Sequence, residues 1–393
     1  MLLPLAILAF VRATTPLTES ASGLSFDGRF YAAMAERATA DITLSHHAPW
    51  CWRVLTPFLA SLLPFSTLTD FTVLAFFSGW VNLALVYSIL RKNRFSSLAS
   101  VIGVLFYAGV FWSIKFSFYS PAYVDYQTQT FILAGMLLIV LKKYWPLPFL
   151  VTLAVLQKES LILLAWIAYA DYSRSSGWLT KRSLSYLAIL LFFPLIVVML
   201  VRMLILSENF YSSMEAFLFY AGLHAALFTD PRHWPRLVLA LFSGLGILPV
   251  ILLCRVKTSC RFLQENPCWM WLIVVGTLQL GGGIDKARLL LFILPAMVVL
   301  ATNLVDKMLT TPSARVWAWI AVTLGLHFYL GHHFTPMGTV DEYVRRMVPM
   351  HAPRDAYPME LARIGVVVAV WVIASILCVA PRWLRKVGRT GDT

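Results

Sequence analysis

Apolar residues along this chain are gathered into blocks separated by short polar stretches. The blocks cover 1–11, 70–90, 97–114, 127–141, 146–170, 184–206, 236–254, 268–281, 288–304, 315–331 and 364–380. A helix that spans the hydrocarbon core of a bilayer takes ~20 residues, and several blocks sit at the short edge of that length. The pattern predicts an all-α, polytopic transmembrane helical bundle of about 11–13 segments, with residues 1–393 forming a single membrane domain. The N-terminal stretch MLLPLAILAFVR lacks a basic leader and an A-x-A site, so it is read as a short first helix.

Composition supports this class. Hydrophobic residues make up 59% of the chain and charged residues 13%. A soluble domain is about 25% charged and could not bury this much apolar side chain. The net charge of +13 would suit a nucleic-acid ligand, but the basic residues lie in short clusters beside the apolar blocks. They are read instead as topology signals, and no nucleic-acid partner is expected. Clusters such as Arg91-Lys92, Lys142-Lys143, Lys181-Arg182 and Arg382-Arg385-Lys386 mark one side of the membrane as inner. The long loops 12–69, 207–235 and 332–363, and all the histidines, then fall on the outer side. The expected location is a bacterial inner membrane, with the polar chemistry facing the periplasm.

One block breaks the pattern. Within VLQKESLILLAW, Lys158 and Glu159 are the only charges between Lys143 and Asp171. A charge at bilayer depth costs roughly 2.5–3.5 kcal/mol on insertion scales, so it is usually paired or faces a cavity. Basic residues flank both ends of 146–170, which suggests a re-entrant hairpin with the pair at its tip. Glu159 is then expected to hold Lys158 or Arg288 in place.

Three outer stretches carry further chemistry. In SFDGRFYAAMAE, Asp27 opens a segment with Phe30, Tyr31 and Met34 at helical spacing and Arg29, Glu36 and Arg37 opposite. This is the pattern of an interfacial amphipathic helix, for which Asp27 is a natural N-cap. Arg53 is the charge of the helical piece that follows Pro49. In KFSFYSPAYVDYQTQT, Asp125 is either a cap or a second acid facing Asp27, and Tyr119, Tyr123 and Tyr126 are expected as an aromatic belt. In LQLGGGIDKARLLLFILP, three glycines precede Asp285, Lys286 and Arg288. Glycine lets a backbone approach a ligand closely, and an Arg at a helix start suits phosphate through its planar fork.

A histidine metal site is not expected, while a requirement for a divalent metal is left open. His46-His47 and His332-His333 are adjacent pairs, whose side chains diverge on a helix, and no HExxH motif occurs. The five cysteines include no CxxC and suggest neither a zinc site nor a disulfide framework.

In order and sidedness, FDGRFYAAMAE, APWCWRVLTPFLASLLP, LQKESLILLAW and GGGIDKARLLLFILP resemble the C-type (GT-C) glycosyltransferase superfamily. The resemblance covers residues 27–295; beyond Pro295 it amounts to further spans and an outer loop. It implies a membrane enzyme that moves a sugar from a polyprenyl-phosphate-linked donor to a glycan, lipid or protein acceptor. On that reading Asp27 is the base, while Arg53, Asp125, Lys158, Glu159, Asp285, Lys286 and Arg288 bind substrate. No cofactor beyond the lipid-linked donor is implied. Many members carry paired acids at the first motif; here Asp27 is followed by Gly28, and Asp41 is the nearest other acid of that loop. Two other classes fit the composition: a lipid-linked glycan flippase or transporter, and an O-antigen-type polymerase or ligase centred on the late outer loop.

Overall fold

The computed structural model describes residues 2–17, 23–24, 27–36, 46–231, 234–279, 286–334 and 357–387. Asp41, Asp285 and most of the 332–363 loop lie outside these. Every element among the described residues is helical, and no strand occurs.

Three helices are long and apolar enough to cross a membrane: Thr67–Lys92, Lys181–Leu204 and Pro358–Cys378. Leu2–Thr14, Leu147–Gln157, Trp234–Leu245 and Pro267–Leu278 are shorter apolar helices; the first three pack against the long ones, and the last against Leu163–Ser176. Lys181–Leu204 presents Ile189, Phe192, Phe193, Leu195, Met199 and Met203 on its exposed side. So large an apolar face is stable only against lipid, and the chain is an integral membrane protein. Three helix starts carry side-chain caps: Ser96, Thr180 and Ser313 each accept from the backbone N–H three residues on.

Several expected spans are broken. The 97–114 block runs as Ser97–Gly109, then bends by 67° into Phe111–Tyr119, which opens with a π-helical turn at Phe111–Lys115. The cause is a close crossing. The Gly109 carbonyl lies where a Cβ on Gly331 would stand, 1.9 Å away, and His327 Nε2 sits 2.7 Å from the Phe106 carbonyl. Ser113 Oγ lies 2.6 Å from the Tyr107 carbonyl and 2.8 Å from that of Val110. Its hydroxyl supplies a donor where the regular ladder is interrupted. The 236–254 block divides at Gly246, whose positive φ of 58° ends Trp234–Leu245 before Leu248–Leu253.

Two stretches expected as loops are helices. Ser213–Thr229 lies inside the 207–235 loop. The basic segment after Cys254 forms Val256–Glu265, which buries Phe262 against Phe95 and exposes Arg261 and Glu265. The first is too short to span a bilayer, and the second confines its apolar residues to one stripe.

The centre of the bundle joins Thr67–Lys92 to Asp125–Val140. Asn82 Nδ2 donates to the Tyr126 carbonyl at 3.0 Å, and Thr130 Oγ1 donates to Asn82 Oδ1 at 2.7 Å. Such interhelical hydrogen bonds act where lipid offers no hydrophobic drive. They fix the height of Asp125 at the end of its helix.

The Gly109–Gly331 crossing makes a direct prediction. Gly331→Ala should lower stability in detergent by about 1–3 kcal/mol, because its Cβ meets backbone that cannot yield. Gly325→Ala, on the same helix with open space around it, should change stability by no more than ~1 kcal/mol. Thermal unfolding of the two variants side by side reads the difference.

Candidate active site

The first-loop helix Gly28–Ala35 lies with its apolar face inward. Phe30, Tyr31, Ala32 and Ala33 are buried, while Arg29 and Glu36 are exposed. Tyr31 and Ala32 form a small second core with Ala60, Phe71, Ala122 and Val124. This core presses the first loop onto the stretch before Asp125. A Cβ on Gly28 would stand 3.2 Å from Ala122 Cβ, tighter than nearly all real contacts. The glycine after Asp27 therefore permits the close approach of the two segments.

Asp27 is at the N-cap position, but its side chain makes no cap bond. Its Oδ2 accepts from Arg288 Nη1 at 2.9 Å, and its backbone N–H donates to the Tyr123 hydroxyl at 3.3 Å. The same Arg288 Nη1 stands 3.7 Å from Asp125 Oδ2, and Lys158 Nζ stands 3.2 Å from Asp125 Oδ1. Asp27, Arg288, Asp125 and Lys158 thus form one chain of alternating charge. Asp125 and Lys158 are the deep end, with side chains 8% and 11% exposed; Asp27 and Arg288 are the mouth, at 23% and 18%.

Aromatic rings line the cations. The Arg288 guanidinium lies 5.3 Å from the Tyr123 ring centre and Lys158 Nζ 5.6 Å from that of Phe292. Gln129 sits one helical turn after Asp125 and donates to the Leu291 carbonyl at 2.9 Å, pinning the turn after Arg288. Its Oε1 is buried without a hydrogen-bond partner among the described residues. Tyr119, Tyr123 and Tyr126 are not the expected belt: all three are buried. Tyr126 OH donates to the Pro121 carbonyl at 2.7 Å, folding the loop back onto itself.

Arg53 is half-buried beside this chain, where it feels the charges of Glu159 and Asp27. Its Nη1 donates to the Tyr31 hydroxyl at 2.8 Å, and its Nε has no partner among the described residues. Burial pushes the Tyr31 hydroxyl above its ordinary pKa, so Tyr31 stays a neutral acceptor for Arg53. Among the described residues, Arg53, Lys158 and Arg288 are gathered around the Asp27 and Asp125 carboxylates, with Glu159 also acting on Arg53. Three cationic side chains thus converge in a mostly buried space, a concentration of charge held by the carboxylates between them.

The structure corrects the expected role of Glu159. It pairs neither with Lys158 nor with Arg288. Lys158 is extended and ends the Leu147–Gln157 helix; Glu159 opens a short 3-10 turn, Glu159–Ile162, before Leu163–Ser176. Adjacent residues at such a break point apart. Glu159 Oε1 accepts instead from Arg202 Nη2 at 2.7 Å, and the Arg202 guanidinium lies 4.5 Å from the Trp52 ring centre. Arg202 is a residue that the sequence reading missed. Its position in the last turn of an apolar helix, a lone cation below a loop, was the available signal. Glu159 and Arg202 line a lateral pocket with Trp52, Val155 and Val198. Lys286 begins the short helix Lys286–Leu289 that carries Arg288. Of the histidines, His47 stacks on Phe30 and Trp50. Among the described residues no three His, Cys, Asp or Glu side chains converge as a metal group.

No family model matches the chain, and no curated protein sequence matches it. A solved structure does: the oligosaccharyltransferase AglB of the archaeon Archaeoglobus fulgidus, in complex with an inhibitory peptide and a dolichol-phosphate. The TM-score is 0.52 at 12% identity, over 85% of this chain and 56% of that one. The chain therefore shares a helical fold with AglB while spanning little more than half of its length.

The charge chain makes a stability prediction. Lys158→Met leaves Asp125 buried with only the more distant Arg288, and should cost about 3 kcal/mol or more. Adding Asp125→Asn removes the orphaned charge and should recover much of that loss. Glu159→Gln, at the more exposed pair, should cost no more than ~1 kcal/mol. Thermal unfolding of the purified variants in one detergent compares all three.

Proposed function

We propose that the protein is a membrane glycosyltransferase, which transfers a sugar from a polyprenyl-phosphate-linked donor to a glycan, lipid or protein acceptor. The observation that carries this reading is the Asp27–Arg288–Asp125–Lys158 chain, with the Arg53 guanidinium beside it. The fold likeness to a protein whose structure holds a dolichol-phosphate supports it. The donor's phosphate is an anion for which Arg288, Lys158 and Arg53 supply cationic donors. Its polyprenyl chain lies in the bilayer, to which the site is adjacent.

The route follows from the geometry. The arriving phosphate competes with Asp27 for Arg288, whose fork is better matched to a phosphate carrying more charge. Asp27, released at the mouth, accepts the proton of the acceptor hydroxyl. The hydroxyl oxygen forms a bond to the anomeric carbon as the bond from that carbon to the phosphate oxygen breaks. The leaving polyprenyl phosphate takes up the electron pair, and its charge rests on Arg288, Lys158 and Arg53. Asp125 stays ionised between two cations and keeps both in register. Direct displacement inverts the anomeric centre. The basic clusters at the opposite helix ends support a site on the periplasmic face of a bacterial inner membrane, with 146–170 entering and returning as a hairpin.

Transfer of radiolabelled sugar from a panel of polyprenyl-phosphate donors tests the reading. Wild type should move label to acceptor. Asp27→Asn should lose activity by about 100-fold or more while still binding donor, as expected when a positioned base is removed. Arg288→Ala should weaken donor binding as well. Equal transfer by wild type and Asp27→Asn would sink the assignment of the base. Lipid translocation in proteoliposomes without any transfer would move the protein to the flippase class.

A further inference from the structure

The charged residues of the site come from separate loops, and one amide side chain connects three of them. Gln157 is the last residue of the Leu147–Gln157 helix and is fully buried. Its Oε1 accepts from Thr56 Oγ1 at 2.7 Å, and its Nε2 donates to the Val124 carbonyl at 2.8 Å. Thr56 and Val124 are likewise buried. Each of the three lies beside a charge of the site: Thr56 is one turn after Arg53, Val124 precedes Asp125, and Gln157 precedes Lys158. A planar amide with one acceptor and one donor end has little freedom when both ends are used. Immediately after it the backbone turns extended at Lys158, and that change of direction sends the ammonium to Asp125.

We infer that Gln157 is a positioning residue, a latch that sets Lys158 against Asp125 by tying the first loop, the second loop and the broken helix together. The inference rests on the reading of this cluster as a lipid-phosphate site only where it concerns ligand binding. The latch itself is a statement about where Lys158 is held. Without Gln157 the carbonyl of Val124 and the hydroxyl of Thr56 must find other partners in a dry setting. The helix end then moves, and Lys158 no longer shares the register of Asp125 and Arg288.

The test uses the full chain in nanodiscs and undecaprenyl phosphate as the probe. Affinity is measured for wild type, Gln157→Leu, Lys158→Met and the double variant. Gln157→Leu should weaken binding roughly tenfold, the scale of one to two buried hydrogen bonds. In the Lys158→Met background the same change should alter affinity by less than about twofold, because the group being positioned is gone. Equal losses in both backgrounds would mean that Gln157 only supports the fold, and would overturn the inference. Acylation of lysine amines, followed by mass spectrometry without lipid, reads the latch independently. Lys158 should label roughly tenfold faster in Gln157→Leu, with Lys142 and Lys143 unchanged. An unchanged Lys158 rate overturns the latch. Faster labelling in a protein that binds no undecaprenyl phosphate keeps the latch and removes the lipid-phosphate reading. If Gln157→Leu does not fold, Thr56→Val, which removes one of the two bonds, should raise Lys158 labelling roughly threefold.

Discussion

Asp125 held between Lys158 and Arg288 is the constraint on which the rest of the site depends. A lone carboxylate or ammonium at this depth in an apolar bundle is unstable, and each becomes tolerable only beside its partner. The partners lie far apart in the chain: Asp27 and Arg288 are separated by 261 positions and Asp125 and Lys158 by 33. Satisfying the charges therefore requires the first loop, the second loop, the broken helix at Lys158 and the turn at Arg288 to converge on one place. Arg53 enters the same place from the first loop and donates to the neutral Tyr31 hydroxyl. The arrangement that stabilises the fold also gathers three cationic side chains, Arg53, Lys158 and Arg288, in one place.

Convergence is maintained by uncharged groups. Gly28 permits contact with Ala122, Tyr123 receives the Asp27 N–H and offers its ring to Arg288, and Gln129 ties Asp125–Val140 to the turn after Arg288. Gln157 performs the corresponding task for Lys158. Each uses a short-range hydrogen bond or close contact to place a long-range charge. That division matters in a membrane protein, where packing between apolar helices gives little directional information and polar contacts set register. The second ion pair, Glu159 with Arg202, anchors the other side of the same break and keeps Glu159 away from the cluster.

Much of this was legible in the residues alone. Asp27, Asp125, Lys158 and Arg288 stood out as charges next to apolar blocks, and the structure brings those four together. The grouping of apolar blocks foretold a helical membrane protein. What could not be read was the pairing. Lys158 and Glu159 are neighbours in sequence, so they looked like partners, but a break between a helix and a 3-10 turn sends them in different directions. Tyr119, Tyr123 and Tyr126 read as an interfacial belt because aromatic residues near a span usually serve that purpose. Their burial depends on a loop that folds inward, which no local pattern announces. The break after Gly109 was equally silent, since its cause, Gly331, lies on another helix.

By itself the sequence determined the class of the molecule and its inventory of charges. Hydropathy is a local property, summed over a window, and so is the presence of an ionisable group. Tertiary structure alone decided which carboxylate meets which cation, where a span bends, and which amide holds the loops in register. Those outcomes depend on distances between segments remote in the chain, and the energy of a buried charge is set by what stands within a few ångströms of it rather than by its neighbours in sequence.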